Sequence, residues 1–249
     1  MQNCKTCSKR LWRKTNKSVV INGHKVRVWV CRCGNEQAEE PPQTEVVKPK
    51  IVYFDIEYSP GESYYYSRKV PGGYIPTQFL KREPFVICWA ACVVNDAKEK
   101  QTIISECVTG KEARAWNDRR IMKTLWGILD AADYIVGHNV DGFDLKKVGG
   151  RFITLGMNLP CQAKTIDTLK LSRKYFPFES NGLDYIAVRL GGRPKLHIEF
   201  SDWRRVIETG DEKTLSKVER YCRGDVREGV GIFQNMRRVI ESSGRRLVK

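Results

Sequence analysis

Nothing in this chain is long and apolar enough to cross a bilayer. Its longest apolar run, residues 85–94, has ten residues, about half of what a spanning helix needs. The N-terminus is polar and carries no apolar core of the secretory kind. Histidine is scarce, at three residues, and acidic residues number 29 against 44 Lys and Arg. Nine cysteines make an odd count without a secretory signal, which fits metal-bound thiolates in a reducing, cytoplasmic setting better than a disulfide scaffold. What is abundant is positive charge. A net charge of +15 and a pI near 9.5 point to a polyanionic partner, nucleic acid before others. With 41% apolar residues in 249, the chain can bury one large core and carry a small appendage.

Residues 1–34 read as that appendage. Cys4 and Cys7 precede, and Cys31 and Cys33 follow, two β-rich stretches joined at Asn22-Gly23. Asn-Gly between such stretches is a strong hairpin signal. A hairpin that gathers two Cys pairs is the plan of a zinc ribbon, with four soft ligands for one structural Zn²⁺. The second pair is C-x-C rather than C-x-x-C. His24 is an alternative ligand, but it sits at the far turn, so four Cys are preferred. A segment this short needs such a staple to fold. It contains nine Lys/Arg and no Asp or Glu. Lys9, Arg10, Arg13, Lys14 and Lys17, with Trp12 and Trp29, could grip nucleic acid; docking of a protein partner is the other reading. Residues 35–49, acidic and proline-bearing, read as a linker. A second domain runs from 50 to 249.

That domain opens on Ile51-Val52-Tyr53-Phe54-Asp55-Ile56-Glu57, a buried strand by its β-branched and aromatic content. Residues two apart on a strand share a face. Asp55 and Glu57 therefore project together, and two such charges call for a cation or a proton between them. Residues 58–83 read as a loop or irregular hairpin, whose Tyr64, Tyr65 and Tyr66 either stack bases or pack on a sheet. Residues 85–94 read as a buried strand with Cys88 and Cys92 as inert core thiols, and 101–105 as a third strand. Residues 112–132 have helical spacing, with Ala115, Trp116, Ile121, Leu125, Ile128 and Leu129 toward the core.

Tyr134-Ile135-Val136 is a further strand. It leads into Gly137-His138-Asn139-Val140-Asp141-Gly142-Phe143-Asp144 and a helix over 145–155, which Asp144 is placed to cap. A small strand at 164–167, helices at 168–176 and 183–190, and a long helix over 211–242 complete the pattern. His197 reads as a surface residue. On the last helix Tyr221 and Asp225 lie one turn apart on one face. Gly224 beside them costs roughly 1 kcal/mol relative to Ala in a helix, which hints at a close approach. Strands alternating with helices predict an α/β fold built on a mixed sheet.

Three segments carry a resemblance. Phe54-Asp55-Ile56-Glu57, the Gly137–Asp144 segment and Tyr221-Cys222-Arg223-Gly224-Asp225 resemble the three motifs of the DEDD 3′–5′ exonuclease superfamily in its tyrosine (DEDDy) version. The second is similar especially to the form written in exonucleases related to the proofreading domain of family B DNA polymerases. The resemblance spans about residues 50–235. It implies a ribonuclease H-like fold and a two-metal site, with Mg²⁺ or Mn²⁺ about 3.5–4 Å apart. By that resemblance Asp55 bridges both ions, Glu57 and Asp225 complete the water-activating site, and Asp144 serves the second ion. Tyr221 orients the attacking water. Asn139 touches the terminal nucleotide, Asp167 supports the site from behind, and Asp141 is a decoy beside Asp144. The implied reaction releases nucleoside 5′-monophosphates from a 3′ end, single-stranded DNA being favoured. Two other readings stay open: an inactive zinc-ribbon protein that binds nucleic acid, and a structure-specific endonuclease on the same fold.

Overall fold

The computed structural model describes residues 12–21, 24–38, 49–65, 73–94, 101–176 and 178–248. The chain divides into two units, Met1–Lys48 and Pro49–Lys249. In the first, β1 (Trp12–Ile21) and β2 (His24–Cys31) pair antiparallel, Trp12 facing Cys31 and Ile21 facing His24. A third strand, β3 (Glu36–Ala38), pairs with β2 through Val28 and Val30. The ladder thus extends into the stretch read as linker, where Lys17 pairs with Glu36 at 2.7 Å. Val26, Val28 and Cys31 are buried. Cys4, Cys7, and the Asn22-Gly23 turn lie outside the described residues.

The larger unit is built on a five-stranded mixed sheet, which agrees with the expected α/β class. Its strands are β4 (Ile51–Tyr58), β7 (Val86–Val93), β8 (Ile103–Cys107), β9 (Tyr134–Gly137) and β10 (Lys164–Asp167). They lie in the order β10-β9-β4-β7-β8. β9 and β10 run parallel to β4, while β7 is antiparallel to both β4 and β8. Two short strands, β5 (Glu62–Ser63) and β6 (Leu80–Arg82), form a separate ladder between β4 and β7.

Alternation along the strands assigns the faces. Tyr53, Asp55 and Glu57 share one face with Cys88, Ala90 and Cys92, their neighbours on β7. That face is covered by α7 (Glu212–Ser242). Val52, Phe54 and Ile56 point to the other face, where Trp89 donates its indole N–H to the carbonyl of Ile121, 2.8 Å away on α2 (Arg119–Asp130). Helices on both faces explain why β4 and β7 are apolar almost throughout. Among the described residues no helix is long and apolar enough to cross a membrane.

The single helix expected over 112–132 is two. A short α1 (Gly110–Arg114), capped by Thr109 and Glu112, ends before Trp116, whose φ is +54°. The break turns Ala113 inward and leaves Ala115 exposed, while Ile121, Leu125 and Leu129 are buried as expected. Asp118, wholly buried, then accepts two bonds from Arg151 (2.7 and 2.8 Å) and one from the Val86 amide (3.0 Å). This knot ties α3 (Asp144–Thr154) to β7. The remaining helices are α4 (Thr168–Tyr175), α5 (Leu183–Arg189) and α6 (Phe200–Thr209).

Candidate active site

β4, β9 and β10 are parallel, so their C-terminal ends share one edge of the sheet. Ligands of open α/β sheets bind at such an edge. Glu57, the loop after Gly137, and Asp167 all reach it. Asp144 is the first residue of α3 rather than its cap, and no side chain caps that helix at Phe143. Its carboxylate instead accepts the amide of Ile56 at 3.2 Å, which draws it against β4. Asp225 comes from above, on α7. The approach of that helix is set by Gly229: a Cβ there would overlap the Tyr53 ring and hydroxyl. Gly224 makes no such approach to the rest of the chain. A Cβ placed on it meets nothing within 4 Å beyond its own turn of helix, and the close contact of α7 with the sheet lies five residues on.

The site is crowded with acid and largely buried. Glu57, Asp144 and Asp225 are buried, and Asp55 is half-buried. A carboxylate oxygen of Asp55, one of Glu57 and the Cys222 sulfur lie within 4.8 Å of one another. The Cys222 thiol points at the Asp55 carbonyl (3.5 Å) and carboxylate (3.8 Å). Burial, then the charges of Asp144, Glu57 and Asp225, push the Asp55 carboxyl well above its ordinary range. Burial and Asp225 do the same to Glu57. Burial raises Asp144 to about 7, although the Ile56 amide works against this. Asp225 is also raised by burial, with Lys195 opposing.

Lys195 is the cation that sequence reasoning missed. It lies in the loop after α5, and its Nζ sits 2.7 Å from Asp225 and 3.4 Å from the Tyr221 hydroxyl. Burial works against its charge, but the Asp225 carboxylate outweighs this and holds its pKa above the ordinary value. Tyr221 is raised by burial and by Asp225, so its phenol stays protonated near neutral pH. One ammonium cannot neutralise four clustered carboxylates. The donor set, all oxygen apart from Cys222, suits hard divalent cations.

The remaining expected residues surround this centre. Asn139, exposed and at φ +66°, donates its amide to Asp167 at 2.9 Å, and its side chain folds against Gly142. Asp167 is buried. It also accepts from the amides of Asp141, Leu169 and Lys170, so it caps α4 and clamps the loop at once. Asp141 faces away and pairs with Lys170 at 2.7 Å. Burial lowers the pKa of His138, whose Nε2 lies 2.9 Å from the Asn181 carbonyl and Nδ1 3.0 Å from the Thr168 hydroxyl. Phe143, partly exposed, meets Tyr58 edge to face at 6.5 Å, with Lys147 above the Tyr58 ring at 5.0 Å. Cys88 and Cys92 are buried thiols with raised pKa values, and His197 is exposed.

Comparison with known proteins agrees with this topology. Residues 77–237 match the family model described as the RNase_H superfamily, a span that includes Asp144, Tyr221 and Asp225 and begins after Asp55 and Glu57. The structure of the family B DNA polymerase from the hyperthermophilic archaeon Pyrobaculum calidifontis superposes with a TM-score of 0.53 at 17% identity. The likeness covers 90% of this chain and 28% of the polymerase, and it is one of fold. No curated protein matches the chain.

Proposed function

The chain belongs to the RNase H superfamily, and from that footing we propose that it is a metal-dependent 3′–5′ exonuclease acting on single-stranded DNA. The observation that supports this reading is the pair of Asp55 and Glu57 oxygens within 4.8 Å of each other, with Asp144 bonded to the backbone between them and Asp225, a turn from Tyr221 on α7, close enough for its charge to raise both carboxyls. Asp55 and Glu57 offer oxygens from one strand face, Asp144 from the start of α3 and Asp225 from α7. These four would hold two Mg²⁺ or Mn²⁺. Bound there, the ions supply Lewis-acid stabilisation of charge on the phosphate and a more acidic water.

The chain's own groups divide the rest of the work. Tyr221, kept as a phenol, orients a water toward the last phosphodiester through its hydroxyl. Lys195 fixes that hydroxyl and the Asp225 carboxylate together. Phe143, Tyr58 and Asn139 flank the position of the terminal nucleotide, where an aromatic edge and a backbone-anchored amide favour one unpaired base. Asp167 acts at one remove, through the loop it clamps. Displacement of the 3′-terminal nucleotide leaves a nucleoside 5′-monophosphate and a new 3′ hydroxyl.

The smaller unit is proposed to hold one structural Zn²⁺ through Cys4, Cys7, Cys31 and Cys33. Cys31 ends β2 opposite Trp12, and Cys33 follows it in the turn before β3. Zinc analysis of protein purified without chelator tests this; a metal-free preparation that stays folded contradicts it.

Matched labelled DNA and RNA, single- and double-stranded, incubated with and without Mn²⁺, test the nuclease reading. Release of 5′-monophosphates only with metal is expected, fastest from single-stranded DNA. Asp55→Asn should lower the rate by at least about 10³-fold, the scale on which groups that act as a unit fail. Metal-independent release contradicts the proposal.

A further inference from the structure

Between the strand that ends at Glu57 and Tyr58 and the next core strand, the chain makes an arm. Glu62 pairs with Arg82 and Ser63 with Leu80, and the Tyr64 amide donates to the Phe79 carbonyl at 2.8 Å. Its root is pinned. The Ser59 amide donates to the Phe85 carbonyl and the Phe85 amide to the Ser59 hydroxyl, both at 2.9 Å. The Arg82 guanidinium lies 5.3 Å from the ring centre of Trp116, which packs on Phe85 at 5.2 Å. The outer part carries apolar surface the fold does not use. Tyr64 is 67% exposed, Tyr65 58% and Tyr74 84%, so the sheet-packing reading of these rings is excluded for Tyr64 and Tyr65. Lys81 stands over the Tyr64 ring, 5.6 Å from its centre.

We propose that this arm holds the single strand upstream of the end being trimmed, stacking bases on Tyr64 and Tyr65. The inference rests on the exonuclease reading and extends it to substrate length. An exposed Tyr ring offers a face that any base can stack on, without sequence preference. Lys81 pairs with Glu62 at 3.2 Å on the arm, so it is the positive charge of the whole chain that favours a strand of phosphates over an apolar peptide. Position supports it too. Seven residues separate Glu57 from Tyr64, a span of at most about 25 Å. A strand of about 20 nucleotides that begins at the carboxylates is long enough to cover that span even at the axial rise of a stacked duplex strand, about 3.4 Å per nucleotide. On this proposal a trinucleotide seated at the carboxylates ends before the arm, and a strand of about 20 nucleotides passes it.

The test compares the full chain with Tyr64→Ala/Tyr65→Ala and Tyr64→Phe/Tyr65→Phe. Binding of a fluorescent oligothymidylate of about 20 nucleotides is followed by anisotropy without metal. Cleavage of the same strand and of a trinucleotide is followed with Mn²⁺. The double Ala variant should bind the long strand at least about thirtyfold more weakly and show a matching rise in KM at unchanged kcat. The double Phe variant should match the parent, and trinucleotide cleavage should be the same in all three. Unchanged affinity for the long strand, or an equal loss on the trinucleotide, overturns the proposal. Should the parent cleave neither strand, the exonuclease reading fails, and the anisotropy result still decides whether the arm binds the strand.

Discussion

The ammonium of Lys195 stands 2.7 Å from the carboxylate of Asp225. A loop that follows α5 thus reaches into an acidic cluster assembled by β4, α3 and α7, and supplies its closest positive charge among the described residues. The pair is mostly buried, with side-chain exposures of 30% for Lys195 and 8% for Asp225. Each charge depends on the other, and several predictions come from that dependence.

Lys195→Met should destabilise the metal-free protein by about 1–3 kcal/mol, the usual cost of leaving a buried charge without its partner. The loss should be largest in alkaline buffer. Without Lys195 the Asp225 pKa rises further, so in acid the carboxyl takes a proton and avoids the cost. Thermal unfolding in EDTA across pH measures this. Adding Mn²⁺ should narrow the gap, because a divalent cation takes over the neutralising role.

Asp144 gives a pH dependence of definite sign. Its carboxyl is raised to about 7 in the folded protein, chiefly by burial, against about 3.9 for an ordinary Asp. Below the lower value the group is protonated in both states and costs nothing. Between about 4 and 7 the unfolded chain sheds the proton first, so metal-free stability falls as pH rises. Asp144→Asn keeps an oxygen for the Ile56 amide and removes that penalty, of order a few kcal/mol. The variant should melt about 5 °C or more above the parent at pH 8 in EDTA, and level with it near pH 4. Mn²⁺ should stabilise the parent more than the variant.

Two glycines on α7 should respond in opposite directions. Gly229→Ala pushes a methyl into Tyr53 and should cost about 1–3 kcal/mol, as overpacked cores do. Gly224→Ala meets no chain atom beyond its own turn of helix and should add about 1 kcal/mol through helix propensity. Chemical denaturation of both variants measures the difference.

Much of the site was legible because its spacing is local. Asp55 and Glu57 share a face by strand alternation, and Tyr221 and Asp225 by helical pitch. The place of Asp144 came only from resemblance; spacing alone made it a helix cap, and the structure turns it to the Ile56 amide. Lys195 was not legible at all. It lies 30 residues before Asp225, in a loop without periodicity, and its role exists only once α5 and α7 are packed. Spacing likewise could not tell which glycine of α7 meets the sheet, since only five residues separate open space at Gly224 from the Tyr53 ring at Gly229. Within the fold, the break at Trp116 hid inside an apolar spacing that suits one helix as well as two. The helix over Phe200–Thr209 leaves Phe200 exposed and buries only Val206 and Ile207, too weak a stripe for periodicity to find, although Gly210 marks its end.

The central claim is that the carboxylate cluster trims strands from a 3′ end. It is tested most directly by offering the purified chain, with Mn²⁺, a 5′-labelled linear single strand and a covalently closed circle of the same sequence. The account predicts a ladder of labelled products shortening one nucleotide at a time from the linear strand, and an intact circle. Cutting of the circle, or a linear strand left whole while the protein is folded and metal-loaded, would contradict it.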